Sequence, residues 1–152
     1  MKAWRLIKTK YASIAFDGEG ARLFGGRWNS PGTRMVYTSS NSALAVLEVV
    51  VNMGDSSGVL ASYSIIQATV PDHLIEDLDR SRLPADWKTS PAPPHLQAIG
   101  DEWIASGRSL ALRVPSAVAP DGENILLNPQ HADFGELGIG TRTQYKIDPR
   151  LL

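Results

Sequence analysis

The chain has 152 residues, 43% of them hydrophobic and 20% charged, and its 15 basic and 16 acidic side chains leave a net charge of −1. That length predicts one domain, 1–152, able to bury roughly 70% of its unfolded surface, and the balanced charge lacks the basic stripe that carries nucleic-acid affinity, so direct binding of DNA or RNA is disfavoured. The absence of cysteine excludes disulfide scaffolds, cysteine-based zinc sites and thiol nucleophiles. The N-terminal MKAWRLIKTKY lacks the apolar centre of a signal peptide, and no apolar run approaches the ~20 residues that cross a bilayer. A cytoplasmic protein with no membrane partner is expected.

In chain order, Ala3 to Ile7 reads as a first strand with Trp4 and Leu6 on one face and Arg5 on the other. Arg5 is either a solvated edge residue or a ligand-facing one. Tyr11 to Phe16 is expected as a helical turn, and Asp17 to Trp28 as a loop too rich in glycine for a regular element. Arg34 to Thr38 is a short strand, after which Ser39, Ser40 and Asn41 offer N-cap chemistry to a helix that stops near Gly54. Gly58 to Val70 reads as one long strand, and Asp72 to Arg80 as a short strand or turn. The proline-rich Arg82 to Pro94 is a loop. His95 to Ser106 has helical spacing through Leu96, Ile99 and Trp103. Strands at Ser109 to Val114, Glu123 to Leu127 and around Gln144 to Ile147 complete the list. Strands and helices do not alternate regularly, so an α+β domain is expected over a doubly wound one.

The stretch around which the rest is organised runs from Gly25 to Asn52. Its helix carries one ionisable side chain, Glu48, in an apolar run from Ala43 to Val51. Taking a carboxylate out of water costs several kcal/mol unless cations or donors compensate. Arg27 and Tyr37 are the nearest candidates in sequence, and the three are expected to form the polar floor of a small-molecule site. The helix itself, apolar nearly all round, should be buried on most sides. Tyr37 as a plain core aromatic is the simpler alternative.

Known phosphate loops do not fit. Leu23 stands where the third glycine of a dinucleotide fingerprint would be, and Gly26-Arg27 replaces the Lys-Ser/Thr of a P-loop. What remains is a loop offering Arg22 and Arg27, whose planar forks suit phosphate and carboxylate oxygens. His73, His95 and His131 are scattered without metal-ligand spacing, so no metal is expected. The surroundings of Ser116, Val-Pro-Ser-Ala-Val, are not a hydrolase elbow, and alone it would be a turn or capping residue. Classical glycosidases use two carboxylates, and only Glu48 is conspicuous here. One carboxylate suffices where the leaving group needs no proton. The nicotinamide of NAD, which leaves neutral from a cationic state, is such a group. A carboxylate, an aromatic ring and one or two arginines could hold its ribose and stabilise an oxocarbenium-like sugar.

Three blocks, GEGARLFGGRWNSPGTRMVYTSSNSALAVLEVVV, LALRVPSAV and NILLNP, resemble in order and spacing the RES-domain toxins of bacterial RES–Xre toxin–antitoxin pairs. The likeness runs from Trp4 to about Phe134. The residues that name the family match Arg27, Glu48 and Ser116, and Tyr37 also agrees. The resemblance implies a fold similar to ADP-ribosyltransferase domains of diphtheria-toxin type, and an activity that degrades NAD by hydrolysis or phosphorolysis, with inorganic phosphate as co-substrate in the second case. Transfer of ADP-ribose to a protein, or a non-catalytic nucleotide-binding module, are the alternatives. It implies further an Xre-family antitoxin that covers the site and brings the complex to operator DNA, with a homodimer as a possible assembly. Arg27 would then grip a phosphate or ribose oxygen, Tyr37 stack or hydrogen-bond, Glu48 stabilise charge at the anomeric carbon, and Ser116 orient a neighbour. Arg5 and Asn128 are secondary pocket-lining candidates.

Overall fold

The computed structural model describes residues 1–54 and 61–152. Its centre is a mixed sheet of eight strands, β1 (Lys2–Lys8), β2 (Val36–Ser39), β3 (Tyr63–Thr69), β4 (Ile75–Asp77), β5 (Ala111–Pro115), β6 (Glu123–Leu127), β7 (Gly138–Ile139) and β8 (Thr143–Tyr145). The order is β4-β5-β6-β2-β1-β3-β7, with β8 also on β3. Three α-helices accompany it among the described residues: α1 (Glu19–Phe24), α2 (Ser42–Val51) and α3 (Pro94–Ser106). Among the described residues only β4 and β5 run parallel. This is the expected α+β class.

Period-two alternation sorts side chains to the two faces of the sheet. On β1, Ala3 and Ile7 join one cluster with Val36, Ile66 and Ile125. Trp4 and Leu6 turn the other way, toward Ala45 and Val46 of α2. The same face, further along, meets α3, where Leu96, Ile99 and Trp103 pack on Leu112, Val114 and Leu126. All three α3 side chains are fully buried, worth on the order of 1.5–3 kcal/mol each before entropy. Helices α2 and α3 thus sit side by side on one sheet face, above the strands that carry Tyr37 and Ser39.

β1 pairs with β3 along its whole length but meets β2 at one register position, Trp4 opposite Ser39. The sheet therefore opens between β1 and β2. Arg5 lies at this opening, on an interior strand, so it is not a solvated edge residue. Its Nη1 donates to the Tyr37 carbonyl at 2.9 Å and takes the place of a missing ladder bond.

Several elements differ from expectation. The glycine-rich stretch contains α1, because Asp17 Oδ1 caps the Glu19 amide at 2.9 Å and the Glu19–Arg22 pair spans one turn. Glycines with positive φ, Gly18 and Gly25, bracket it. The long strand expected over 58–70 is regular only over Tyr63–Thr69, and its first part lies outside the described residues. β7 had no clear signal, being two residues long. Helix α2 is less enclosed than its composition implies, since Ala43, Leu47 and Val51, four apart, share an exposed face. Among the described residues no helix is long and apolar enough to cross a membrane.

Candidate active site

Glu48 points from α2 toward the β5–β6 turn. Its Oε1 accepts two hydrogen bonds, from Ser116 Oγ at 2.7 Å and from Asn124 Nδ2 at 2.8 Å. Oε2 accepts none among the described residues. Ser116 is buried, and its Oγ also accepts from the amides of Val118 and Ala119. The turn reading of this serine is correct, and the same hydroxyl that folds the turn also holds the Glu48 carboxylate. Gly122 lets this turn approach α2, for a Cβ there would stand 3.0 Å from Leu44 Cδ2.

Asn124 is opposite Ser39 on the β2–β6 ladder, and Leu126 opposite Tyr37. Ser39 Oγ donates to Asn124 Oδ1 at 3.0 Å. Tyr37 is therefore a diagonal neighbour of the residue that binds Glu48, a Cα separation of about 7–8 Å. This is the scale of a ribose with its base. The structure puts Glu48 in contact with Ser116 and sets Tyr37 on the same sheet face, but the carboxylate's donors are Ser116 and Asn124 and not the expected Arg27 and Tyr37.

The Tyr37 hydroxyl is not free for a ligand. It donates to Asn29 Oδ1 at 2.6 Å and accepts the Trp28 amide at 3.0 Å. Burial pushes it well above the usual phenol range, so it stays a donor at all ordinary pH. Gly26 lies against it, where a Cβ would come within 2.6 Å of the hydroxyl. Tyr37 thus fixes the Gly25–Asn29 loop through a hydroxyl that has both a donor and an acceptor partner. Tyr37→Phe is expected to cost about 1–3 kcal/mol, because the Trp28 amide and Asn29 lose a buried partner. Thermal melts should fall by roughly 2–4 °C per kcal/mol; an unchanged melt would show that the hydroxyl supports nothing.

Arg27 follows Gly26 on that loop. Its Nη1 donates to the carbonyls of Trp87 and Thr89 at 2.8 and 3.0 Å, and it forms no ion pair among the described residues. Both Nη1 hydrogens are used by the proline-rich loop, which leaves the Nε–Nη2 edge, the side that forks onto phosphate or carboxylate. Arg5, which shares the sheet face of Ala3 and Ile7 and so is not brought to Glu48, has a buried Nε without a partner among the described residues. Burial pushes its guanidinium down to about 10, with Asp17 opposing, so it remains a cation at neutral pH.

Asn128 is not brought to this cluster. It lies four residues beyond Asn124, about 13 Å along the strand, where its Oδ1 accepts the Gln130 amide and closes a turn. Asn124 occupies the place that sequence reasoning offered to Asn128. Asn124 and Ser39 were missed because one reads as an ordinary strand residue and the other as part of a cap; the true N-cap is Asn41, which accepts the Leu44 amide at 2.8 Å. Pairing ENILL with VYTS on paper would have placed Asn124 beside Ser39. No three His, Asp or Glu side chains converge as metal ligands among the described residues.

The RES domain family matches residues 2–148. The chain belongs to the RES family. It is 37% identical over its whole length to Toxin Res of Photorhabdus laumondii, of which it covers 97%. Over 98% of its length it is 32% identical to the Prs ADP-ribosylating toxin of Sphingobium sp., covering 95% of that protein. In fold it resembles a chain in the crystal structure of the M. tuberculosis MbcT–MbcA toxin–antitoxin complex, with a TM-score of 0.77, 24% identity, and coverage of 99% of this chain and 85% of that one. The RES fold here is the ADP-ribosyltransferase-like α+β architecture. In it Glu48 and Ser116 touch, while Arg27 lies on the loop that the Tyr37 hydroxyl fixes.

Proposed function

We propose that this RES chain is the toxin of a toxin–antitoxin pair and that it breaks the nicotinamide–ribose bond of NAD. The observation that carries the reading is the Glu48 carboxylate, pinned by two donors on one oxygen. In the reaction the C1′–N bond breaks and its electron pair neutralises the pyridinium, so no acid has to protonate the leaving group. Glu48 faces the positive charge that grows at C1′, the ring of Tyr37 borders the nicotinamide ribose, and the cationic Arg27 holds phosphate oxygens. Water or inorganic phosphate then bonds to C1′, giving ADP-ribose and a released proton, or ADP-ribose 1-phosphate. NAD is a substrate here and not a resident cofactor. An Xre-family antitoxin would neutralise the toxin in the cytoplasm and link the pair to operator DNA, and the toxin would act alone or as a homodimer.

A second reading has one specific support, the 32%-identical relative named as ADP-ribosylating. In that case a protein side chain takes the place of water or phosphate. Purified protein incubated with NAD alone separates them. Nicotinamide release without any acceptor protein, faster on adding phosphate, is expected for the phosphorylase; release indifferent to phosphate marks the hydrolase. Release only when a target protein is added would transfer the assignment to the second reading.

A further inference from the structure

Of the two side chains that hold Glu48, only Ser116 belongs to the residues that name the family. We propose that Asn124 is a positioning residue that sets the rotation of the Glu48 carboxylate, and that Ser39 in turn sets Asn124. The inference rests on the role given to Glu48 above.

The chemistry leaves one arrangement. An ionised carboxylate accepts hydrogen bonds and cannot donate them, so the amide must turn its Nδ2 to Glu48. Its Oδ1 then faces Ser39, whose hydroxyl must donate. Flipping the amide would put Oδ1 against a carboxylate oxygen and lose the Glu48 contact, whereas the Ser39 hydroxyl would only have to turn from donor to acceptor. Ser39 is buried in β2, and the β2–β6 register places it directly opposite Asn124. The register therefore holds the amide in place against Ser39, and the carboxylate selects which end faces Glu48. Ser116 and Asn124 both bind Oε1, so the carboxylate is held at one end and its other oxygen takes a set direction. A carboxylate free to rotate would have to be ordered at each turnover, a cost that falls on the transition state.

Steady-state NAD consumption, with growth arrest on induction as a parallel readout, tests this on wild type, Asn124→Ala, Asn124→Asp and Ser39→Ala. Asn124→Ala is expected to lower kcat by about 10- to 100-fold, the range for a hydrogen bond to a charged group, with KM changed less than about threefold because the loss falls on the transition state. Asn124→Asp keeps the shape but sets a second carboxylate against Glu48, and should fall at least about tenfold below the alanine variant. A role in packing alone predicts the reverse order, aspartate above alanine. Ser39→Ala, which keeps the amide but frees its rotation, should lose about 3- to 10-fold with a preserved melt. The proposal is overturned if Asn124→Ala stays within about threefold of wild type, or if the aspartate variant matches or exceeds it. A wild type that arrests growth without consuming NAD would refute the substrate assignment alone, and the same variant order in growth arrest would then decide the role of Asn124.

Discussion

Glu48→Gln is expected to reduce NAD consumption by about a thousandfold while the melt stays within a few degrees of wild type. Glutamine has the same shape, and its Oε1 can still accept from Ser116 Oγ and Asn124 Nδ2. What it lacks is the charge. At about 4 Å and an effective dielectric near 20, one negative charge facing a growing positive one is worth about 4 kcal/mol. Each 1.36 kcal/mol is a factor of ten in rate, hence about a thousandfold. The ground-state sugar has little of that charge, so the loss should fall on kcat and leave KM nearly unchanged. In cells, expression of the wild type without antitoxin should deplete NAD before growth stops, and expression of Glu48→Gln should do neither. A variant retaining a tenth or more of the activity would mean that Glu48 does not face the reacting carbon.

Two kinds of signal lie in this chain, one local in sequence and one that depends on strand pairing. Glu48 stood out because a lone charge on an apolar helix is locally anomalous, and the structure gives it two partners. Tyr37 was legible by its place just before the helix that carries Glu48, whereas Ser116 was singled out only by the family resemblance. Strand β1 was readable from its alternation, and β6 from a short run bounded by the turn signals Asp121-Gly122 and Asn128-Pro129. The unread part depends on pairing. Asn124 and Ser39 gain meaning only from the register that puts them opposite each other. The exposed face of α2 follows from which sides the sheet covers, and an apolar composition says nothing of that. Helix α1 was missed because glycine content outweighed the Asp17 cap and the Glu19–Arg22 pair. The attachment of the arginine loop to α3 was likewise invisible, since it joins residues about 71 positions apart.

That attachment leads to the largest expected effect on stability. Helix α3 grips the Gly26–Ser30 loop at three points: Gln97 Nε2 donates to the Gly26 carbonyl at 3.0 Å, Asp101 accepts the Ser30 amide at 3.0 Å, and Gly100 lies between them against Trp28. A Cβ on Gly100 would stand 1.6 Å from the Trp28 carbonyl oxygen and 2.7 Å from its carbon. Both are backbone atoms, and Trp28 is buried among Met35, Leu96 and Ile99, so neither side can yield cheaply. Gly100→Ala should therefore destabilise by about 3 kcal/mol or more, at or above the usual range for overpacking, and lower the melting temperature by roughly 6–12 °C. The sign runs against helix propensity, which favours alanine over glycine by about 1 kcal/mol in a helix interior. Gly20 in α1 supplies the control: nothing lies within 4 Å of a Cβ there, and Gly20→Ala should be neutral or slightly stabilising. NAD consumption by Gly100→Ala should fall even below its melt, because moving Trp28 pulls its amide from the Tyr37 hydroxyl and carries Arg27 with it. If both alanine variants melt alike, helix α3 does not hold the arginine loop, and the site is organised from the sheet alone.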